Sequence, residues 1–339
     1  MKRIFTLIAA VVAVVSSANA QMGHGAMTFV GKSNFYVTMM GQKAGETTQV
    51  SDTIKYAGAD FTLPSMKYGD MVIPSFQITG TTFSGGYAGV TWDDQTFTAT
   101  ATDAEGNEKT ITGTSLKGSF THGDGIYKVQ LEVAFKYGSM PFPITYSIES
   151  YYVKEYAGEN SVMVGGQFGP YTANVTHKLR TYIEEGVTMM DVEIPPYSLA
   201  GTVMGDLTLG TYTVKGLTYD SDRGGYYKDY SADNLSVHFK AVNNGMTTMD
   251  ADYALQTAGK ENILVEITNG KAKITNNFQP GAMPFPINAV MDQSAATAVE
   301  NIHSVVVPKN NVMYNLRGQR VVNAGRGIVI RNGKKYVVR

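Results

Sequence analysis

An all-β fold in two related antiparallel halves, followed by a short β tail, is what this sequence predicts, and three observations carry it. Thr, Val, Ile, Tyr and Phe recur in short runs broken by Gly, Asn and Asp, with no long 3.6-residue periodicity beyond the first twenty residues. The phrase Gly-x-Met-Pro-Phe-Pro-Ile occurs twice, at Gly138–Ile144 and Gly281–Ile287. At that same offset of 143 residues Lys128 matches Lys271, Leu131 matches Ile274 and Phe135 matches Phe278, so a whole strand-and-turn unit is duplicated.

The chain opens on Lys2 and Arg3, an apolar run from Ile4 to Val15 and the small-residue site Ala18-Asn19-Ala20. That order predicts a secretory signal peptide over 1–20, cleaved after Ala20. No later stretch offers the ~18 consecutive apolar residues of a spanning helix, so no transmembrane segment is expected. Cysteine is absent, which excludes disulfide staples and a lipid anchor on Cys. The expected location lies beyond the inner membrane: periplasm, cell surface or medium.

Charge is unevenly placed. Lys309 to Arg339 holds eight basic and no acidic residues, whereas residues 21–308 hold eighteen basic against twenty-nine acidic, a net of −11. Such a body is poorly suited to nucleic acid, whose phosphates need a basic surface.

The clearest strand is Tyr127 to Tyr137, apolar at every odd position. Tyr127, Val129, Leu131, Val133 and Phe135 therefore share one buried face, either of a core or of a barrel lumen. In the second half the same register presents Ala272, Ile274, Asn276 and Phe278, a more polar set, and Asn269-Gly270 predicts a type I′ hairpin. Upstream, Asp60-Phe61-Thr62-Leu63-Pro64 parallels Asp191-Val192-Glu193-Ile194-Pro195 at an offset of 131, so about twelve residues are inserted in the second half, best placed in the Tyr219–Tyr230 segment. The predicted halves run 27–156 and 162–293, with Ala157 to Asn160 as a polar connector. About eight short strands in each would close a small antiparallel barrel; a β-sandwich fits the pattern equally. Residues 294–311 read as a linker and 312–339 as hairpins, the last on Asn332-Gly333.

Together, the duplicated Asp-x-x-(Leu/Ile)-Pro strand, the alternating strand ahead of Gly-x-Met-Pro-Phe-Pro and the signal peptide resemble the calycin-like, or lipocalin-like, β-barrel domains of secreted Bacteroidota proteins. Tyr314-Asn315-Leu316-Arg317-Gly318-Gln319-Arg320-Val321, with Gly327 to Tyr336, is similar to C-terminal sorting signals of exported proteins in that phylum. The resemblance implies two tandem barrels, a small apolar or amphipathic ligand in the lumen and export machinery as partner of the tail. It transfers no activity.

Lumen candidates are accordingly Tyr127, Val129, Leu131, Val133, Phe135 and Phe142 in the first half and Ile274, Phe278 and Phe285 in the second. Tyr219, Tyr226, Tyr227 and Tyr230 form a second candidate, a surface for a glycan or protein partner that would make the chain an adhesion or assembly module. Prolines at alternate positions of Met-Pro-Phe-Pro read first as devices that stop strand pairing. Asp220-x-Asp222 lacks the remaining ligands of a calcium loop, and the five His show no ligand spacing, so no metal or cofactor is expected. There is no nucleophile elbow or phosphate loop, and only a spatial pair of distant carboxylates would make a glycosidase. A non-enzyme is the expectation.

Overall fold

The computed structural model describes residues 26–293, apart from 87–88, 124, 203, 256–260 and 282–284, together with short tail strands between 313 and 338. The signal segment with Ala18 and Ala20, and the linker 294–311, lie outside the described residues. All regular structure described is β. The first half contains β1 (Met27–Met39), β2 (Gln42–Ala57), β3 (Asp60–Leu63), β4 (Met66–Tyr68), β5 (Met71–Ile73), β6 (Phe76–Ile78), β7 (Ser84–Gly86), β8 (Gly89–Thr102), β9 (Glu108–Gly123) and β10 (Ile126–Tyr137). After β11 (Ile144–Val164) come β12 (Phe168–Glu184), β13 (Val187–Ile194), β14 (Tyr197–Thr202), β15 (Gly205–Leu209), β16 (Tyr212–Asp220), β17 (Gly225–Asp229), β18 (Ser236–Asn243), β19 (Met246–Ala254), β20 (Asn262–Thr268), β21 (Lys271–Phe278) and β22 (Ile287–Asp292).

The second half closes on itself. Its ladder runs β11-β12-β13-β16-β17-β20-β21-β22 and returns to β11, an eight-stranded antiparallel barrel. Closure removes the unpaired edges an open sheet would present. Beyond Pro195-Pro196, which cannot donate to a ladder, the chain turns into a separate four-stranded sheet, β14-β15-β18-β19. Leu199, Leu207 and Phe239 of that sheet pack into the same core as the barrel's Val192, Val265 and Ile274.

In the first half the order is β6-β3-β2-β1-β11-β10-β9-β8-β7, wrapped around a core of Phe29, Tyr56, Phe61, Trp92, Phe76 and Phe135. β11 is common to both halves. Its residues Ile144 to Tyr152 pair with β1, and Val153 to Val164 pair with β12. A strand of 21 residues is about 70 Å long at ~3.3 Å per residue. Ala157 to Asn160, read from the sequence as a connector, lies inside this strand opposite Thr176 to Ala173. Composition misleads here because Glu159 is exposed while Asn160 is buried against the barrel interior, and only the ladder partners on both sides reveal the strand.

Turn chemistry follows expectation at Asn269 (φ 52°) and Gly270 (φ 77°), both positive as a type I′ hairpin requires. The proline motif leaves the ladder in the described parts of both copies. The Gly138 N–H donates to Thr110 O at 2.8 Å and the Gly281 N–H to Ala254 O at 2.7 Å. Pro143 O accepts from Thr38 N–H at 2.9 Å, and Pro286 O from Gly165 N–H at 2.8 Å. Each copy thus ties the end of one strand to the end of the half's first strand.

The tail is a unit of its own. β23 (Met313–Asn315), β24 (Arg320–Val321), β25 (Gly327–Arg331) and β26 (Lys334–Val338) pair in the order β24-β23-β25-β26. The β25–β26 pair meets at Arg331 and Lys334, around the expected Asn332-Gly333 turn, which itself lies outside the described residues.

Candidate functional site: a groove between the two halves

The predicted lumen row of β10 is packed. Val129, Val133 and Phe135 are fully buried, Leu131 nearly so and Tyr127 half-buried, and Phe76 meets Phe135 edge-on at 5.2 Å. Phe142 is half-buried against that core. Ile274 and Phe278 are buried inside the second barrel, where Phe278 meets Tyr212 at 6.0 Å. Phe285 departs from expectation. It is 39 % exposed and sits on Gly165, edge-on to Phe168 at 5.7 Å, because the chain has already left the ladder after Phe278. A Cβ on Gly165 would lie 2.8 Å from that ring, so the bare glycine makes room for it.

The Tyr-rich segment is a hairpin, not an open loop. Tyr219 pairs with Tyr226 and Thr218 with Tyr227 across β16 and β17, and Asp220 Oδ1 caps the turn by accepting from Asp222 and Arg223 N–H, each at 3.0 Å. Tyr219 is exposed, Tyr226 and Tyr227 half-buried. Tyr230, expected on the surface, is fully buried. Its hydroxyl explains why: it donates to Asn276 Oδ1 at 2.8 Å, while Asn276 Nδ2 donates to Tyr212 OH at 2.7 Å. Burial raises the pKa of both tyrosines, Tyr212 to about 12, so the network is neutral. Asn276 stands where the first half has Val133. The same interior holds His177, whose pKa burial lowers to about 4.

Outside both interiors lies a groove of about 1650 Å³. Its floor is the outer face of β1, β2, β8, β9, β10 and the first part of β11, with Lys32, Asn34, Lys117, Gln130, Glu132 and Glu149. Its wall is the outer face of the second barrel, with Arg180, Tyr182, Asp191, Lys215 and Lys228. Arg180 fastens the two. Its Nη1 donates to Val30 O of β1 at 3.2 Å and its Nη2 donates to Asp191 Oδ2 at 2.5 Å, with the guanidinium 4.8 Å over the Tyr182 ring. Tyr151 OH adds a long contact to Ile183 O at 3.4 Å and one to Glu149 Oε1 at 3.2 Å.

Some charges of the groove are paired. Lys117 meets Glu132 and Lys128 meets Glu149, both at 2.9 Å. Burial opposes ionisation of Glu149, but bonds from Lys128 and Gln130 outweigh it and hold the carboxyl below its ordinary range. Burial, with Asp191 nearby, pushes Tyr182 up to about 12. Glu149, held ionised in this way, is a poor proton donor. Among the described residues no group of three His, Asp or Glu is arranged to hold a metal. Sequence reasoning missed this site because its side chains come from two halves and eight or more strands, and each reads locally as a solvated strand face.

The family comparison fits this architecture. Residues 154–291, the closed barrel with its attached sheet, match the family described as the calycin-like beta-barrel domain. That part of the chain carries a calycin-like barrel, a domain type that commonly binds small ligands. The chain is also similar to a crystal structure described as a "putative outer membrane protein" of Bacteroides fragilis NCTC 9343, at 16 % identity and a TM-score of 0.23, covering 80 % of this chain and 97 % of that one. No curated protein matches. No helix among the described residues is long and apolar enough to cross a membrane.

Proposed function

We propose that this is an exported, non-enzymatic binding protein built of two tandem calycin-like barrels, and that it holds an amphipathic ligand in the groove between them. The observation that carries the reading is the contrast between the two kinds of site. The predicted lumen positions Val129, Leu131, Val133, Phe135, Ile274 and Phe278 are packed in the interiors, whereas the groove is open, large enough for a ligand and lined by the rings of Tyr151 and Tyr182 among charged side chains. Tandem duplication is supported by the matching hydrogen bonds at Gly138 and Gly281 and at Pro143 and Pro286. Export is supported by the N-terminal segment and the basic tail, the latter acting in sorting or retention.

An amphipathic fluorophore, 1-anilinonaphthalene-8-sulfonate, tests the placement. Saturable binding should weaken several-fold in Tyr182→Ala and persist in Val133→Met, which adds bulk to the first interior. The reverse pattern returns the ligand to the lumen. Absence of binding to the folded chain favours adhesion through the hairpin that exposes Tyr219 beside Tyr226, their rings 5.6 Å apart.

A further inference from the structure

β8 runs past the cover that the rest of the first half gives it. Up to Gln95 its outer edge is occupied: Ser84 to Gly86 pair with Thr91 to Gly89, and the Gln95 side-chain amide imitates a strand by accepting from Thr82 N–H and donating to Thr82 O, both at 2.8 Å. From Phe97, opposite Gly113, to Thr102, opposite Glu108, it pairs with β9 alone, and no strand among the described residues takes its other side. Every second residue of that run turns an N–H and a C=O away from β9. Its length is about 20 Å at ~3.4 Å per residue.

Free edges are usually guarded, and β2 shows how. Its unpaired side, ahead of the Lys55–Ala57 stretch that meets β3, carries Lys43 and lies in a strand with two irregularities of register. Phe97-Thr98-Ala99-Thr100-Ala101-Thr102 has no charge, no proline and no irregularity. Thr98, Thr100 and Thr102 are exposed on one face, while Ala99 and Ala101 are buried on the other beside a half-buried Phe97. The second half fills the corresponding edge itself. Gly138 N–H donates to Thr110 O of β9 and Gly281 N–H to Ala254 O of β19, so β8–β9 and β18–β19 are corresponding hairpins. β18 bears β15 on its open edge, antiparallel, from Asp206 opposite Val242 to Leu209 opposite Phe239, with Leu207 and Leu209 buried. In the first half β4 and β5 pair with each other as a sheet apart from β8.

From this geometry we infer that β8 is a docking edge for an extended segment of a partner protein, which adds as an antiparallel strand beside Phe97 to Thr102. Main-chain hydrogen bonds hold such a strand, and its alternate side chains give the specificity. On the face of Ala99 and Ala101 the incoming side chains are apolar, as Leu207 and Leu209 are beside β18. Its ends are basic. Residues 93–109 hold five acidic residues and one basic, with Asp93 and Asp94 before the run and Asp103 and Glu105 after it. The same charges disfavour a second copy of this chain, because antiparallel self-pairing about the middle of the run sets Asp94 of each copy against Glu105 of the other.

The probe is the capped peptide Lys-Thr-Leu-Thr-Leu-Thr-Leu-Lys with a terminal dye, titrated against the full chain by fluorescence anisotropy. It should bind saturably, and the form with Glu in place of both Lys at least about tenfold more weakly. An added strand uses the N–H groups of alternate residues only, so N-methylation of one alternate set should abolish binding while methylation of the other set leaves it. Bound peptide should slow hydrogen exchange at alternate amides of Phe97 to Thr102 by at least about tenfold and leave Thr47 to Ser51 of β2 unchanged. Equal binding of the Glu form would overturn the basic partner. Equal losses from the two methylated forms, protection at β2 in place of β8, or no saturable binding to the folded chain would overturn the docking edge. Dimerisation that protects the same amides without peptide would give the edge to a second copy, against the inference.

Discussion

The carboxylate of Asp191 accepts the backbone N–H of Gly216 at 2.9 Å, at the point where β16 departs from its partner β13. Asp60 does the same for Gly80 at 3.0 Å, beside β6. Both glycines hold positive φ, 72° and 68°, a conformation that needs glycine, and each side-chain oxygen satisfies an N–H that the bent strand leaves unpaired. The two copies diverge at the other oxygen. Asp60 Oδ2 takes an exposed amide from Gln77, while Asp191 Oδ2 takes Arg180, which also grips Val30.

That divergence predicts unequal costs for the same substitution. Asp191→Ala strands the mostly buried Arg180 guanidinium and should destabilise the chain by on the order of 3 kcal/mol. Asp60→Ala loses hydrogen bonds near solvent and should cost about 1 kcal/mol. Chemical denaturation of the full chain measures both; equal losses would mean that Arg180 contributes nothing across the halves.

Sharing β11 predicts one cooperative unit. The native chain should resist proteolysis at Ala157 to Asn160, and Ala157→Pro, placed in the interior of a ladder, should cost about 3 kcal/mol or more. Its unfolding should remain a single transition by fluorescence and by circular dichroism. Two separated transitions in the wild type would show that the halves melt independently despite the common strand.

His177 predicts a pH effect of definite sign. Burial lowers its folded pKa to about 4, below the ordinary 6.5, so between those values the unfolded chain binds a proton that the native chain does not. Stability from this residue is therefore full above about pH 6.5 and declines as pH falls toward 4, by about 3 kcal/mol in all. His177→Leu also removes a buried ring nitrogen, Nδ1, that has no hydrogen-bond partner. Urea midpoints at pH 7 and pH 4.5 should differ less in the variant than in the wild type; an unchanged difference would place the acid sensitivity elsewhere.

Much of this architecture was legible in the residues alone. Alternation from Tyr127 to Tyr137 identifies a strand and its buried face, because side chains on a strand alternate by geometry. The duplicated proline motif and the paired Asp residues identify a repeat, because each is a local device with the same backbone task in both copies. Asn269-Gly270 identifies a hairpin, because few residues tolerate two positive φ values in succession.

What the tertiary structure alone decided depends on contacts between distant segments. Whether Tyr230 faces solvent or the core turned on Asn276, 46 residues away, which offers its hydroxyl an acceptor. That Ala157 to Asn160 continue a strand was decided by β12 and β22, whose free backbone groups those residues satisfy. The groove exists only because one strand serves two sheets and Arg180 reaches a carbonyl 150 residues earlier. Local sequence encodes which way a side chain points along its strand; which surfaces then meet is set by strand register and sheet curvature, and neither is written within a window of neighbouring residues.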